Sequence, residues 1–279
     1  MASWNQQVSK VFDKISQKRK LAEEEDVEKE KRKKQKRNYQ SCLFIYYDLE
    51  MCQGSVAGEI FQIGAKTVNS EFSRHILPKG SIDWRVTKHF GGIKVIHDAD
   101  GQRQLINNKK TFKTVDSVNA FKDFLTWSKE EKKSGGYEKV ILIAHGDSDM
   151  PVLLNNIGRD DLKDDLKLSI DYFTDSLRFF QRNFESWDKY KLTSIYKRIF
   201  PNREEFSAHD ALEDARALCD IIEDLTMRNK ELVDDVIDHC FDVDKCCEIA
   251  KRKVKKTLQK SATNKNSNCD PRCLKFCSL

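Results

Sequence analysis

The chain carries little apolar periodicity for its first forty residues and changes character abruptly at Cys42. CLFIYYDLE, 42–50, is a continuous run of aromatic and branched residues closed by two acids, the pattern of a central strand covered on both faces. MCQGSVAG has the small residues of a loop, EIFQIGAKTV reads as a second strand, and Phe72 to Leu77, stopped by Pro78, reads as a third. An irregular stretch containing Gly91, Gly92 and Gly101 runs to about Thr114. Asp116 or Ser117 then caps a helix reaching Lys132, with Val118, Phe121, Phe124 and Leu125 at helical spacing. KVILIAH is a short buried strand, Met150 to Asn156 the first turns of a helix, and LSIDYF a fifth strand. Asp175 to Phe184 and Tyr190 to Phe200 read as helical. Ala211 to about Met227 is a helix with Ala211, Ala215, Leu218, Ile222 and Leu225 on one stripe. Strands alternating with helices predict an α/β layer architecture built on one sheet.

Charge divides the chain in three. Residues 1–41 hold 12 Lys and Arg against 7 Asp and Glu, a net +5. Residues 245–279 hold 10 against 2, a net +8, which leaves residues 42–244 at −8. Accordingly 1–41 reads as a charged helical or disordered tail, 42–228 as the folded domain and 229–279 as a basic, Cys-rich extension whose residues 229–258 add helix. Basic flanks suit a polyanion such as nucleic acid, and an acidic body that must hold one needs cations in between. Lys29 to Arg37 has the composition of a nuclear-import or nucleic-acid patch, and equally of an exposed charged helix. No apolar run approaches the roughly 18 residues of a membrane span. The first residues lack a secretory pattern, so an intracellular place, nuclear or cytoplasmic, is expected.

The candidate chemistry sits where acids end apolar runs. Asp48 and Glu50 are two residues apart and so share a face of a strand. Two carboxylates there repel one another and resist desolvation, and a divalent cation resolves both problems. A D-x-E pair is weak evidence in a chain with 45 acids, and its position directly after CLFIYY is what raises it. HGDSDMPVLL, 145–154, brings His145, Asp147 and Asp149 to a strand-to-helix turn. Asp147 reads as a helix cap, and Asp149, beside the apolar MPVLL, as the acid facing the first strand. In SAHDALEDARALCDII, Ser207 and Asp210 have capping-box spacing, which places His209 in the first helical turn and Asp214 on or beside the packed stripe. For Asp214 in isolation, an ion pair with a core Lys or Arg is the plainer fate.

Taken in order, DLE at 48–50, HGDSDMPVLL at 145–154 and HDALED at 209–214 resemble the three motifs of the DEDDh, or DnaQ-like, 3′–5′ exonucleases. HDALEDARAL, with KLTSIYKRIF before it, is especially similar to the three-prime repair exonuclease branch, and the resemblance spans roughly residues 42–228. His209 stands five positions before Asp214, as the family's His variant requires. Two departures are visible. Gly146 and a shortened spacer replace the Asn and longer spacer of the usual second motif, so Asp147 competes with Asp149, and Asp149 is favoured because MPVLL continues as the family helix does. Met51 stands where the family usually has Thr.

The resemblance implies an α/β, RNase H-like fold: a five-stranded mixed sheet flanked by helices, with basic N- and C-terminal extensions. It implies two Mg²⁺ or Mn²⁺ ions, with Asp48 bridging them, Glu50 and Asp214 completing the first and Asp149 near the second, and His209 as general base. The implied substrate is single-stranded or 3′-ended DNA or RNA, shortened to nucleoside 5′-monophosphates; relatives of this kind are often homodimers. The rival reading is a nucleic-acid-binding module, catalytically weak or inactive, on the same fold. His239, Cys240, Cys246, Cys247, Cys269, Cys273 and Cys277 offer a zinc alternative whose spacing matches no defined finger. The Lys251 to Lys256 cluster is expected to approach a substrate backbone. His75, His89 and His97 read as surface or satisfied core residues, and Trp84 and Phe90 as core before base-stacking groups.

Overall fold

The computed structural model describes residues 41–108, 110–204 and 206–263. The basic tail before residue 41 and Cys269, Cys273 and Cys277 of the C-terminal extension lie outside the described residues. In chain order the strands are β1 (Cys42–Met51), β2 (Ile60–Lys66), β3 (Glu71–Ile76), β4 (Ile93–His97), β5 (Arg103–Asn107), β6 (Lys110–Thr111), β7 (Thr114–Val115), β8 (Lys139–Ala144), β9 (Tyr172–Asp175) and β10 (Phe241–Asp242). The helices are α1 (Trp84–His89), α2 (Ser117–Ser134), α3 (Asp149–Arg159), α4 (Lys163–Ser169), α5 (Ser176–Asn183), α6 (Leu192–Ile199), α7 (Ala211–Arg228), α8 (Glu231–Ile237) and α9 (Val243–Thr263).

The main sheet has the order β10-β9-β8-β1-β2-β3-β7. β1 is antiparallel to β2 and parallel to β8, so the chain reverses its direction of winding beside β1. In α/β sheets ligands gather at the carboxyl ends of strands at such a switch point. Five strands form the mixed sheet that was expected. The two extra members, β7 and β10, are two-residue edge strands, too short to leave a pattern in sequence.

Both faces of β1 are covered, which is why its sequence shows no alternation. Leu43, Ile45, Tyr47 and Leu49 enter the large core cluster with Phe121, Phe124 and Leu125 of α2 and Val152, Leu153 and Ile157 of α3. The alternate residues Tyr46, Asp48 and Glu50 face the other side, where α7 packs on β1 and β2. Tyr46 Oη donates to Glu223 of α7 at 2.7 Å, fixing which face this is. Gly64 of β2, paired with Asp48 in the register, is what lets α7 approach. A Cβ at Gly64 would fall 2.2 Å from the Leu212 nitrogen and 2.3 Å from the Ala211 carbonyl carbon.

Two stretches differ from expectation. The segment read as irregular before Thr114 holds α1 and a separate three-stranded sheet, β4-β5-β6. Its small core joins Ile93 and Leu105 to Cys52 and Phe61 at the ends of β1 and β2. LSIDYF divides: residues 163–169 form α4, with Asp164 and Asp165 favourably placed in its first turn, and only Tyr172 onward is strand.

The C-terminal segment is packed rather than appended. Val243, Cys246, Ala250 and Val254 of α9 recur at helical spacing, are buried in the main core, and lie along α3. Burial pushes the Cys246 thiol up to about 12, so it behaves as a small apolar side chain. From the same helix, Lys253 Nζ donates to the Asp147 carbonyl oxygen and to its carboxylate, each at 2.7 Å. Asp147 is therefore an ion-pair partner and not the helix cap expected for it; Ser148 stands at the N-cap of α3 without a side-chain cap bond.

Replacing Gly64 by Ala forces backbone against backbone and must lift the start of α7 from β2. We expect a loss of about 1–3 kcal/mol in urea unfolding. The same substitution at exposed Gly54, where a Cβ meets nothing within 4 Å, is expected to leave stability within about 0.5 kcal/mol.

Candidate functional site

Three chain segments deliver acids to the carboxyl end of β1. Asp48 and Glu50 come from β1 itself, two residues apart on the α7 face. Asp149 opens α3 after the β8 turn, and Asp214 lies in the first turn of α7. Glu50 and Asp149 are 7% and 5% exposed, which for carboxylates demands compensation. Among the described residues no lysine or arginine forms an ion pair with any of these four acids. Some acids outside the set do find cations: Asp147, in the turn before Asp149, takes Lys253, and farther off Asp171 takes Lys132 and Lys139 and Glu71 takes Arg216.

The lack of compensation appears in their proton affinities. Burial, then the charges of Asp149, Glu50 and Asp214, hold the Asp48 carboxyl well above the usual carboxylate range. Burial, then Asp214 and Asp149, push Glu50 up to about 9. Burial, then Asp175 and Asp214, raise Asp149 to about 7. Burial raises Asp214 to about 6, against the N–H that donates to it. These acids raise one another because they share one small volume, the signature of a site built for positive charge.

His209 joins them in a way the capping pattern did not foresee. Asp210, not Ser207, is the N-cap of α7, its carboxylate accepting from Leu212 N at 3.0 Å and Glu213 N at 3.4 Å. His209 therefore precedes the helix, with φ at 70°, a left-handed conformation that costs a non-glycine residue roughly 1–2 kcal/mol. Its N–H donates to Asp214 Oδ2 at 3.0 Å, tying the imidazole-bearing residue to the acid five positions on. Gln62 Nε2 donates to Asp210 Oδ1 at 3.2 Å and pins this turn to β2. One ligand atom each from Glu50, His209 and Asp214 lie within 4.8 Å of one another, the one grouping of its kind among the described residues.

The remaining motif residues take supporting places. His145 is enclosed: Nε2 meets the Tyr190 carbonyl at 2.7 Å, Nδ1 meets Ser176 Oγ at 3.0 Å, and burial lowers its proton affinity. Asp175, which closes β9, accepts from Gly146 N and Leu177 N, each at 2.9 Å, and so braces the turn before Asp149. It escaped the sequence reading although DYFTD shows the same signal, an acid ending an apolar run. His89 is at the surface, as expected, but it also adjoins the site. Its Nε2 lies 3.3 Å from His209 Nδ1, and Phe90 packs edge-on to both His209 and Phe61. Trp84, read as core, is 67% exposed.

The donor set of hard carboxylate oxygens, without a competing cation among the described residues, fits Mg²⁺ or Mn²⁺. Zinc in the Cys-rich segment finds no support, since no cysteine joins a metal-holding group among the described residues. No helix among the described residues is long and apolar enough to cross a membrane.

A family model for the Exuperantia RNAse H-like domain matches residues 43–199, more than half of the chain. The RNase H-like expectation is thereby met, and the match holds Asp48, Glu50 and Asp149 while ending before His209 and Asp214. Among curated proteins none matches the chain. Three solved structures are similar. One is a 3′-exonuclease in specific recognition of the 3′ end of a histone mRNA stem-loop, at 14% identity and TM-score 0.47, over 67% of this chain and 82% of that one. Another is the nuclease domain of 3′hExo, a DEDDh family member, bound to rAMP, at 14% and 0.47, over 67% and 92%. The third is cell-death related nuclease 4, at 13% and 0.46, over 68% and 66%.

The raised carboxyls predict a linked dependence on pH and cation. Each binds its proton more tightly folded than unfolded, so its contribution to stability is complete below about pH 4. It is lost as pH rises through about 6 for Asp214 and about 7 for Asp149. In chelator, Asp149→Asn is expected to gain on the order of 2 kcal/mol over wild type at pH 8 and nothing at pH 4. Mg²⁺ or Mn²⁺ is expected to raise the wild-type melting temperature more at pH 8 than at pH 5.5, read by calorimetry. An equal effect of cation on Asp149→Asn would argue against the site.

Proposed function

We propose that this chain, which belongs to the Exuperantia RNase H-like family, is a metal-dependent 3′–5′ exonuclease that removes nucleoside 5′-monophosphates from the 3′ end of DNA or RNA. The observation that carries the reading is the cluster of Asp48, Glu50, Asp149 and Asp214, uncompensated by any cationic side chain among the described residues, with His209 beside two of its members. A fold that only bound nucleic acid would gain nothing from four carboxylates that repel both each other and the phosphate.

Two Mg²⁺ or Mn²⁺ ions held by Asp48, Glu50, Asp149 and Asp214 would supply stabilisation of the attacking and departing oxygens of an in-line displacement. Asp48 and Glu50, on a strand buried on both faces, provide the fixed side of that cradle. Asp149 and Asp214 bring the α3 and α7 sides to it. His209 supplies the proton acceptor. Partial burial, then the neighbouring His89, lower its proton affinity, which favours the neutral imidazole that a base must present. It takes a proton from the attacking water as the new P–O bond forms; the 3′ oxygen of the preceding nucleotide departs and is protonated from solvent. Lys253 of α9, paired with Asp147, holds the turn that delivers Asp149.

The test is incubation of 3′-labelled single-stranded DNA and RNA with Mg²⁺ or Mn²⁺. Wild type is expected to release 5′-mononucleotides from the 3′ end. Asp48→Ala and His209→Ala are expected to lose activity by at least about 100-fold while still binding the strand. Retained binding with no metal-dependent shortening of either polymer would instead identify a binding module.

A further inference from the structure

α1 has no part in the acid cluster, yet it is anchored at both ends to the strands that carry the site. At its start the Asp83 N–H donates to the Cys52 carbonyl at 2.9 Å, one residue beyond β1. At its end the Phe90 ring packs edge-on to buried Phe61 of β2, centroids 5.4 Å apart, and the Phe90 carbonyl accepts from Asn107 Nδ2 at 3.1 Å. The residue between these anchors and the site is His89. Its ring lies edge-to-face on His209 with centroids 4.1 Å apart, and Nε2 meets His209 Nδ1 at 3.3 Å.

We infer that His89 is a positioning residue for His209: its Nε2 accepts a hydrogen bond from His209 Nδ1–H and holds the imidazole in the tautomer whose Nε2 lone pair faces the reacting water. The inference rests on the reading of His209 as general base. Two imidazoles that meet nitrogen to nitrogen with one hydrogen between them must place it on one or the other. When His209 carries it at Nδ1, its other nitrogen is free to take a proton; when His89 carries it at Nε2, the lone pair of His209 is the one at Nδ1, already occupied by His89. In the first arrangement His89 holds its own hydrogen on Nδ1. The contact plays the part a carboxylate plays behind other catalytic histidines. A neutral acceptor suits this place, because a fifth carboxylate would add to the repulsion among Asp48, Glu50, Asp149 and Asp214 and compete for their cations. The left-handed backbone of His209 orients the residue, and His89 with Phe90 fixes the ring.

Two substitutions at exposed His89 separate the acceptor from the packing. His89→Phe keeps a flat ring and removes the acceptor; His89→Gln offers a carbonyl oxygen. With the full chain, Mg²⁺ and 3′-labelled single strands, we expect His89→Phe to lower kcat by about 10- to 100-fold with KM changed less than about threefold, and His89→Gln to recover much of that loss. Nitrogen-15 spectra of the metal-free full chain at one fixed neutral pH are expected to show His209 as the Nδ1–H tautomer in wild type and not in His89→Phe. An Nε2–H tautomer in wild type, or an unchanged kcat in folded His89→Phe, overturns the inference. If wild type hydrolyses no strand but holds the Nδ1–H tautomer, the exonuclease reading falls and the pairing stands.

Discussion

Four carboxylates drawn together at the end of a buried strand, with no cationic side chain among the described residues to neutralise them, are the condition around which this molecule is arranged. Each is desolvated by its own element and further opposed by the others, so the cluster weakens the fold whenever it is ionised and bare. Its persistence depends on the strength of what surrounds it: an apolar central strand, helices on both sides, and hydrogen bonds from main-chain N–H groups to Asp214 and Asp175. Elsewhere on the same acidic body Asp147, Asp171, Glu71 and Asp220 are paired with lysine or arginine in the ordinary way. The contrast between paired and unpaired acids locates the site more sharply than any motif does.

The approach of α7 to β2 converts sheet geometry into site geometry. Gly64 removes the side chain that would separate the two backbones, and Gln62, two residues earlier on the same face, bonds the capping Asp210. The start of α7 is thereby held against the strand partner of Asp48. His209 and Asp214 flank that cap, so their distance from Glu50 is set by a backbone contact and not by flexible side chains. The left-handed turn at His209 follows from the same requirement, since the chain must reverse sharply to enter a helix so close to the sheet.

Much of this was legible in the sequence because it depends on strong local signals. The doubly covered β1 announces itself as an unbroken apolar run, and the acids at its end, at the β8 turn and in the α7 stripe stand out against that background. What escaped was set by contacts across the fold. IKVIH and RQLIN have strand alternation around an Asp-Gly turn, but Gly91 and Gly92 just before it masked the pattern, and their core is shared with Cys52 and Phe61, distant in sequence. Asp147 has cap spacing, yet Lys253, 106 residues later, claims it. His89 lies 120 positions from His209, and nothing local marks it as a neighbour of an acid cluster. Cap identity failed by a small margin for a physical reason: Ser207 and Asp210 both have suitable side chains, and tertiary contact with Gln62 selects between them.

The packing of α9 on α3 has a consequence for how the protein comes into being on the ribosome. Residues up to 214 already contain every acid of the cluster, but Ala250 and Val254, which cover α3, and Lys253, which pins the turn before Asp149, emerge some forty residues later. Nascent chains fold in the order they are delivered. A chain still short of α9 therefore carries all the acids of the centre without the brace that holds one of them in line, and a helix translated after every one of those acids brings the centre to its final form.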